Sequence, residues 1–155
     1  MKQYIGTKII QAEPAFRCMD GNGNTVITSD PHEAFPNYPN VEDGYRVRYP
    51  DGYESWSPKA AFEEAYRPSD NLPFGLAIEA AKKGHKIARL GWNGKNQHVE
   101  MAYGISYVDT YGQTVNPEHK DIGNRCLAFV GTSGVQMGWL ASQADMLADD
   151  WVIVE

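Results

Sequence analysis

The sequence predicts an α+β protein, in which a small antiparallel sheet packs with short helices and follows an N-terminal module of a β-hairpin and a helix. Period-two strand patterns occur on both sides of a proline-containing break, helical spacing is confined to short stretches, and no β-α-β alternation or internal repeat is present. The break is RPSDNLP, residues 67–73. It predicts two domains, 1–68 and 69–155.

In the N-terminal domain, residues 44–57 (GYRVRYPDGYESWS) predict a hairpin, because aromatic and aliphatic residues alternate with polar ones on both sides of Asp51-Gly52. A short helix is predicted to follow. Ser57 has the side chain of an N-cap, and Pro58 would occupy the first helical position.

In the C-terminal domain, apolar residues at helical spacing predict a helix over 74–83 that ends at Gly84. Ser142 and Asp145 form the pattern of a capping box and predict a helix of one to two turns. The remaining patterns predict short strands. They lie at 85–90, 98–108, 126–130, 135–139 and 150–154.

The chain is acidic, with a formal net charge of −6 and a pI near 5.2, and its Lys and Arg residues form no run. Binding to DNA or RNA needs several clustered cations, so neither is predicted as a partner. A small anion needs only one or two arginines with backbone amides. No apolar run approaches the roughly 20 residues of a bilayer-spanning helix, and a cytosolic protein without membrane association is predicted.

Metal and cofactor sites are not predicted. Cys18 and Cys126 lack metal-ligand spacing and are expected to be buried, reduced thiols, and the four histidines are scattered. The stretch DGNGN, residues 20–24, resembles the start of a calcium loop. However, the sixth position is not Gly, and Pro31 occupies the twelfth, so a glycine-rich turn is predicted instead.

Residues with catalytic signatures are also missing. No nucleophile elbow, phosphate-binding loop or dinucleotide fingerprint occurs, and the adjacent Asp149 and Asp150 would point to opposite sides of an extended chain. Aromatic and polar residues at element ends remain as ligand candidates. These are Trp92, Asn93, Gln97, Trp139, Ser142, Gln143 and Asp145. From the residues alone, the Trp92 indole either stacks on a nucleobase or anchors the core.

Two motifs carry a family resemblance. FGLAIEAAKKGHKIARLGWNGKNQ, residues 74–97, is followed about forty residues later by GWLASQADMLADDWVIV, residues 138–154. With both motifs complete and in this order, the segment from about 72 to 155 resembles the phage family called Thoeris anti-defense protein two.

The resemblance implies a sponge that binds an immune signalling nucleotide without cleaving it, in the cytoplasm of the infected bacterial host. The signal is glycocyclic ADP-ribose, a cyclic ADP-ribose isomer made by TIR-domain enzymes. Family members are homotetramers with ligand pockets between protomers, and some also hold cyclic dinucleotides at a second site. An acidic chain needs only local cations for such a ligand. Arg89, Lys95 and Arg125 are available.

Carried over to the first motif, the resemblance makes Trp92 the stacking platform for the adenine. Asn93 and the backbone of Gly91 and Gly94 would lie close to the ribose or phosphate, and Arg89 would neutralise a phosphate.

In the second motif, Ser142, Gln143 and Asp145 would complete the polar wall of the pocket. The capping box is an equal alternative role for Ser142 and Asp145. Three neighbouring residues are expected to pack in the core. They are Met146, Leu147 and Trp151.

Two segments depart from the short family members, namely the module at 1–67 and the long connection at 110–126. Two other functions stay open. One is a cyclic-nucleotide hydrolase or lyase, for which the sequence offers no clear acid and base. The other is a protein-interaction module that uses N-terminal aromatic residues. These are Tyr45, Tyr49, Tyr53 and Trp56.

Overall fold

The structure is a computed structural model that describes residues 1–121 and 123–154. Ile122, inside the predicted long connection, and Glu155 lie outside the described residues. The chain forms two compact units that divide between Arg67 and Pro68. Each unit combines an antiparallel sheet with short helices, so the predicted α+β class is confirmed.

Unit 1 is built on a four-stranded antiparallel sheet in the order β2-β1-β3-β4. Its strands are β1 (Gln11–Met19), β2 (Thr25–Thr28), β3 (Glu42–Arg48) and β4 (Glu54–Pro58). The predicted hairpin is β3-β4. A second hairpin, β1-β2, turns at residues 20–24, where the Asp20 carboxylate accepts hydrogen bonds from the backbone N–H groups of Asn22 and Asn24. Asp20 therefore serves the turn, as expected for DGNGN.

Two short helices, α1 (Pro31–Ala34) and α2 (Lys59–Ala65), complete unit 1. Helix α2 is fixed to the sheet by stacked rings, with the Phe62 centroid 4.1 Å from that of Tyr45 and 4.9 Å from that of Tyr66. The predicted cap at Ser57 is wrong. Ser57 and Pro58 remain paired with β3, so α2 begins at Lys59 without a side-chain cap.

In the same unit, the Trp56 indole lies across the backbone of Gly44. A Cβ added at Gly44 would stand 2.5 Å from the Trp56 ring, so only glycine fits beneath it. The Arg17 guanidinium covers the ring with its carbon 4.1 Å from the centroid. Gly44 of β3 is therefore required for the packing of Trp56 of β4 on this strand.

Unit 2 is built on a five-stranded antiparallel sheet in the order β10-β9-β6-β5-β11, with a separate hairpin β7-β8. The strands are β5 (Lys86–Arg89), β6 (His98–Tyr103), β7 (Tyr107–Val108), β8 (Thr114–Val115), β9 (Arg125–Gly131), β10 (Gly134–Met137) and β11 (Trp151–Val154). The helices are α3 (Phe74–Lys82) and α4 (Gln143–Met146). The order agrees with the predicted one, and the 98–108 pattern turns at Gly104, as expected, between β6 and β7. Strand β8 was not predicted and lies in the long connection.

The core of unit 2 lies between α3 and one face of the sheet. Three helix alanines are buried and pack against the buried strand residues Ile87 and Val99 and against Trp151. They are Ala77, Ala80 and Ala81. Small side chains let a helix approach a sheet closely. Helix α3 then ends as expected, with Gly84 in the left-handed region at φ 94°.

The first and last segments of unit 2 are hydrogen-bonded to each other. Leu72 donates its N–H to the Trp151 carbonyl at 2.7 Å and accepts from the Trp151 N–H at 3.1 Å. The N–H of Ile153 donates to the Ser69 carbonyl. The stretch from Ser69 to Leu72 thereby extends along the outer edge of β11.

Two predicted core residues are not buried, since Met146 is 39% and Leu147 78% exposed. Helix α4 has a single turn, so it presents little side-chain surface to the core. Its contact with Trp151 is made by the backbone, because the Asp145 carbonyl accepts a hydrogen bond from the Trp151 indole N–H at 2.9 Å. Trp151 itself is fully buried, as predicted. Cys18 is a buried free thiol, whereas Cys126 is free and half-buried.

Candidate functional site

Trp92 lies on the bend that leaves β5. Its backbone N–H donates to the Arg89 carbonyl at 3.1 Å, which closes one turn directly after the strand. A second turn follows, in which the Gln97 side-chain carbonyl accepts from the Gly94 N–H at 2.9 Å and the Gln97 N–H donates to the Gly94 carbonyl. Two hydrogen-bonded turns in succession therefore fix the backbone around Trp92.

The half-buried Trp92 indole belongs to an aromatic cluster that joins the two sequence motifs. Its centroid lies 5.5 Å from Trp151, 6.2 Å from Trp139 and 5.3 Å from Phe129, with interplanar angles of 76° to 80°. Edge-to-face contacts of this kind are favourable and directional. Trp92 is therefore a packing residue on one side, and its partial exposure leaves a portion of the indole accessible.

Arg89, the last residue of β5, holds two aspartates of the second motif. Its Nε and Nη2 donate to the Asp150 carboxylate at 2.8 and 3.3 Å. Its Nη1 donates to Asp145 Oδ1 at 3.2 Å and to the Ala144 carbonyl at 3.3 Å. Strands β5 and β11 bring these groups together, because their antiparallel register pairs Arg89 with Trp151.

The pKa shifts in this group follow from the same contacts. Hydrogen bonds from Arg89 hold the pKa of the Asp150 carboxyl below its usual value, and the Gly91 N–H contributes to that lowering. Burial alone would raise the pKa of Asp145, but hydrogen bonds from Ser142 and Arg89 lower it. The pKa of Arg89 is raised by its bonds to Asp150 and Asp145. All three groups are charged at neutral pH.

Helix α4 begins with the predicted capping box. The Ser142 hydroxyl accepts from the Asp145 N–H at 3.2 Å, and Asp145 Oδ2 accepts from the Ser142 N–H at 3.0 Å. The capping role of both residues is thus confirmed. Any contact of Ser142 or Asp145 with a ligand stays a prediction.

Three exposed polar side chains surround these fixed groups. Asn93 and Lys95 lie on the Trp92 bend, and Gln143 is the first residue of α4. Within residues 1–121 and 123–154, the side chains of Asn93 and Gln143 make no hydrogen bond, and no carboxylate pairs with Lys95. These groups can accept or donate bonds to a bound molecule. Asn93 and Gln143 are not bonded to each other.

The structure thus places the two motifs at one site, with the aromatic cluster beneath it and the aspartate-bound Arg89 beside it. The same residues fall within the range that matches a known family, because the Thoeris anti-defense 2-like domain covers residues 72–154 of this chain. The chain belongs to this family.

A relative of the Thoeris anti-defense 2-like domain shows how much of the chain the family accounts for. Thoeris anti-defense 2 of Bacillus phage SP01 is 34% identical over 88 residues, which cover 94% of that protein and 54% of this chain. The matched range begins four residues after unit 2 begins, at Leu72. Unit 1 therefore lies outside the family match.

The Thoeris anti-defense 2-like domain also carries a groove of about 510 Å³ away from the Trp92 bend. Met101 and Leu127 lie opposite each other on β6 and β9, as do Tyr103 and Arg125, and Lys82 of α3 also borders the groove. No carboxylate in the described part of the chain pairs with Arg125. The groove thus combines apolar side chains with the cation of Arg125 and with Lys82, whose ammonium pairs with Glu79 at 2.7 Å.

Sequence reasoning missed one residue of the site in this Thoeris anti-defense 2-like domain. The sequence argues only against a catalytic pair of Asp149 and Asp150 and gives Asp150 no other role, whereas the β5-β11 register places its carboxylate on Arg89. Only knowledge of that strand pairing could have revealed the contact. Among the described residues, no group of three or more His, Cys, Asp or Glu is arranged to hold a metal ion. None of their helices is long and apolar enough to span a bilayer.

Proposed function

We propose that this protein counters Thoeris defence as a sponge: in the cytoplasm of the infected host, it binds a cyclic ADP-ribose signal such as glycocyclic ADP-ribose and releases it unchanged. The observation that carries the proposal is that both family motifs converge on one site, with Trp92 partly exposed above a rigid aromatic cluster. A sponge needs pre-formed contacts and slow release, but no tuned acid or base.

In the proposed site, the accessible part of Trp92 stacks on the adenine, which is worth about 1–3 kcal/mol per base. Asn93 and Gln143 supply hydrogen bonds from the two motifs, because neither side chain is used within the described chain. The exposed backbone of Gly91 allows close approach of the ribose or phosphate. At Gly94 the Gln97 side chain already takes the N–H and covers the Cα, so the carbonyl side of that residue would face the ligand. The wall at Ser142 and Asp145 is held in place by the capping box.

Charge in the proposed site favours Lys95 as the cation nearest the phosphates. Asp145 and Asp150 place two negative charges against the single positive charge of Arg89. Lys95 lies three residues from Trp92 and meets no carboxylate among the described residues. Replacing Lys95 by Gln should weaken binding and reduce its dependence on salt, whereas Lys86→Gln, the same change on an exposed lysine of β5, should do neither.

The proposal includes a homotetramer with ligand pockets between protomers. Three leucines within the two motifs support it, because they are largely exposed in the single chain. They are Leu90, Leu140 and Leu147, with 66%, 89% and 78% exposure. A second protomer would remove this apolar surface from water. Light scattering should give the mass of four chains, and Leu140→Glu should lower it.

The decisive experiment separates binding from catalysis. Protein incubated with glycocyclic ADP-ribose is freed of unbound ligand and heat-denatured, and the released nucleotide is identified by mass spectrometry. Intact ligand supports the sponge. Release of hydrolysed product only would establish the alternative hydrolase.

If no nucleotide is recovered and none raises the melting temperature, the protein-interaction module is favoured. A ligand at 100 times its Kd should add about 2.7 kcal/mol of stability. Asn93→Ala should weaken capture about tenfold without changing the melting temperature of the free protein, because its side chain is exposed. Gln113→Ala, an exposed amide of the β7-β8 hairpin, is the matched control and should leave capture unchanged.

The groove supports a second ligand, and we propose that it holds cyclic dinucleotides. Its volume of about 510 Å³ lies within the usual range for small-molecule sites. Tyr103 can stack on a base, while Arg125 supplies the cation for the phosphates. Arg125→Gln should abolish binding of a cyclic dinucleotide and preserve that of glycocyclic ADP-ribose. Lys86→Gln is the charge-matched control, and equal losses for both ligands would refute separate sites.

A further inference from the structure

The ion-pair group at the end of β5 consists of Arg89, Asp145 and Asp150. The guanidinium has five N–H donors, and four hydrogen bonds to Asp150, Asp145 and the Ala144 carbonyl occupy most of them. The Arg89 side chain is only 22% exposed. Most of its hydrogen-bonding capacity is therefore already used within the protein.

Asp150 has a second contact that bears directly on the Trp92 bend. Its carboxylate, which is bonded to Arg89, also lies beside Gly91, with Oδ2 3.8 Å from the position that a Cβ on Gly91 would take. Its own backbone carbonyl accepts from the Leu90 N–H at 3.1 Å. Asp150 thus holds the two residues that connect Arg89 to Trp92.

From these contacts we infer that Asp150 is a positioning residue of the ligand site, and that Arg89 acts with it as an internal brace rather than as a phosphate ligand. The brace fixes Leu90 and Gly91 against β11, and this sets the direction in which the Trp92 indole leaves the strand. The inference rests on the proposed function for its effect on binding. Its effect on the bend does not depend on any ligand.

The geometry explains why a charged brace is used at this place. Asp150 immediately precedes β11, and the bend follows β5, so one carboxylate connects the ends of two strands that are far apart in sequence. Charge-assisted bonds with two parallel N–H groups fix direction as well as distance. A neutral amide at position 150 would keep its place beside Gly91, but it would lose the paired contact with the guanidinium.

The test compares Asp150→Asn with Asp149→Asn, which removes the same charge from the exposed neighbour. Amide hydrogen exchange without ligand is measured over residues 90–94. We expect Asp150→Asn to increase exchange there and to weaken capture of glycocyclic ADP-ribose about tenfold, or 1.4 kcal/mol. Asp149→Asn should change neither. Asp150→Glu, which keeps the charge on a longer side chain, should lie between the wild type and Asp150→Asn.

The outcomes separate the inference from the proposed function. If the wild type binds no nucleotide but Asp150→Asn, and not Asp149→Asn, increases amide exchange over residues 90–94, the sponge proposal is refuted and the positioning role of Asp150 is supported. If exchange over 90–94 is the same in Asp150→Asn and Asp149→Asn, the brace is refuted whatever the ligand does. If Asp150→Asn does not fold, Asp150→Glu takes its place in the same comparison. Unchanged exchange and affinity in Asp150→Glu would then refute the inference.

Discussion

Replacement of Trp92 by Ala tests how far this residue supports the fold as well as the site. About two-thirds or more of the indole is buried, and a tryptophan side chain carries up to about 250 Å² of surface, so on the order of 160 Å² is removed from water. At about 25 cal/mol per Å² this area contributes about 4 kcal/mol. Loss of the edge-to-face contacts with Trp139, Trp151 and Phe129 increases the destabilisation, and relaxation of the surrounding residues reduces it.

Urea unfolding followed by circular dichroism measures the effect. With a typical slope of about 1–3 kcal/mol per M, a loss of about 4 kcal/mol lowers the midpoint by about 1–4 M. Trp92→Phe keeps a ring in the cluster and should lose less. Tyr111→Ala is the control, because Tyr111 is an aromatic residue of the same unit that is 89% exposed. A midpoint for Trp92→Ala no lower than that for Tyr111→Ala would refute the packing role.

Further predictions concern other contacts. Gly44→Ala should destabilise unit 1 by about 1–3 kcal/mol through overpacking, since the new Cβ would stand 2.5 Å from an indole. Ser142→Ala should cost about 1 kcal/mol, the usual effect of losing an N-cap. Asp145 and Asp150 have pKa values below the ordinary 3.8, so their contribution to stability is present above pH 3.8 and is lost as the pH falls through the lower folded-state values.

The measurements for these predictions are thermal and urea unfolding, each with its own comparison. Gly21→Ala is the control for Gly44→Ala, because no atom lies within 4 Å of its added Cβ. Equal midpoints for the two variants would contradict the close-packing argument. For Ser142→Ala, an unchanged midpoint would contradict the capping role. For the aspartates, Asp150→Asn should reduce the loss of stability between neutral and acid pH. A pH dependence identical to that of the wild type would show that Asp150 does not contribute to it.

The elements of unit 2 were largely predictable because their signals are local. Gly84 ends α3, the Ser142 and Asp145 pair caps α4, and alternating residues form the strands. Hairpin β1-β2 was not predicted, since its turn residues were recognised but their flanking strands alternate poorly. Ser57 was assigned to a helix because its local chemistry fits a cap. The pairing of β4 with β3 overrides that preference, as tertiary context often does.

The candidate site was predictable as a list of residues but not as a set of contacts. Trp92 could be read as a platform or as a core anchor, and the structure shows that one side packs while the rest remains accessible. The family resemblance links Arg89 to a phosphate of the ligand, and no sequence pattern reveals the strand register that occupies its guanidinium. Once β5 pairs with β11, two aspartates about sixty residues away reach its guanidinium. Ion pairs between residues so far apart in sequence can be predicted only once the strand pairing is known.

The backbone hydrogen bonds between Leu72 and Trp151 hold the first and last segments of unit 2 side by side. Because the two ends of unit 2 are adjacent, additional sequence can be inserted at Ser69 without disturbing the packing of α3 on the sheet. The same closeness makes the unit suited to circular permutation. A short linker from Val154 to Ser69, with new ends at the exposed Thr132-Ser133 turn, should preserve every strand pairing of the sheet.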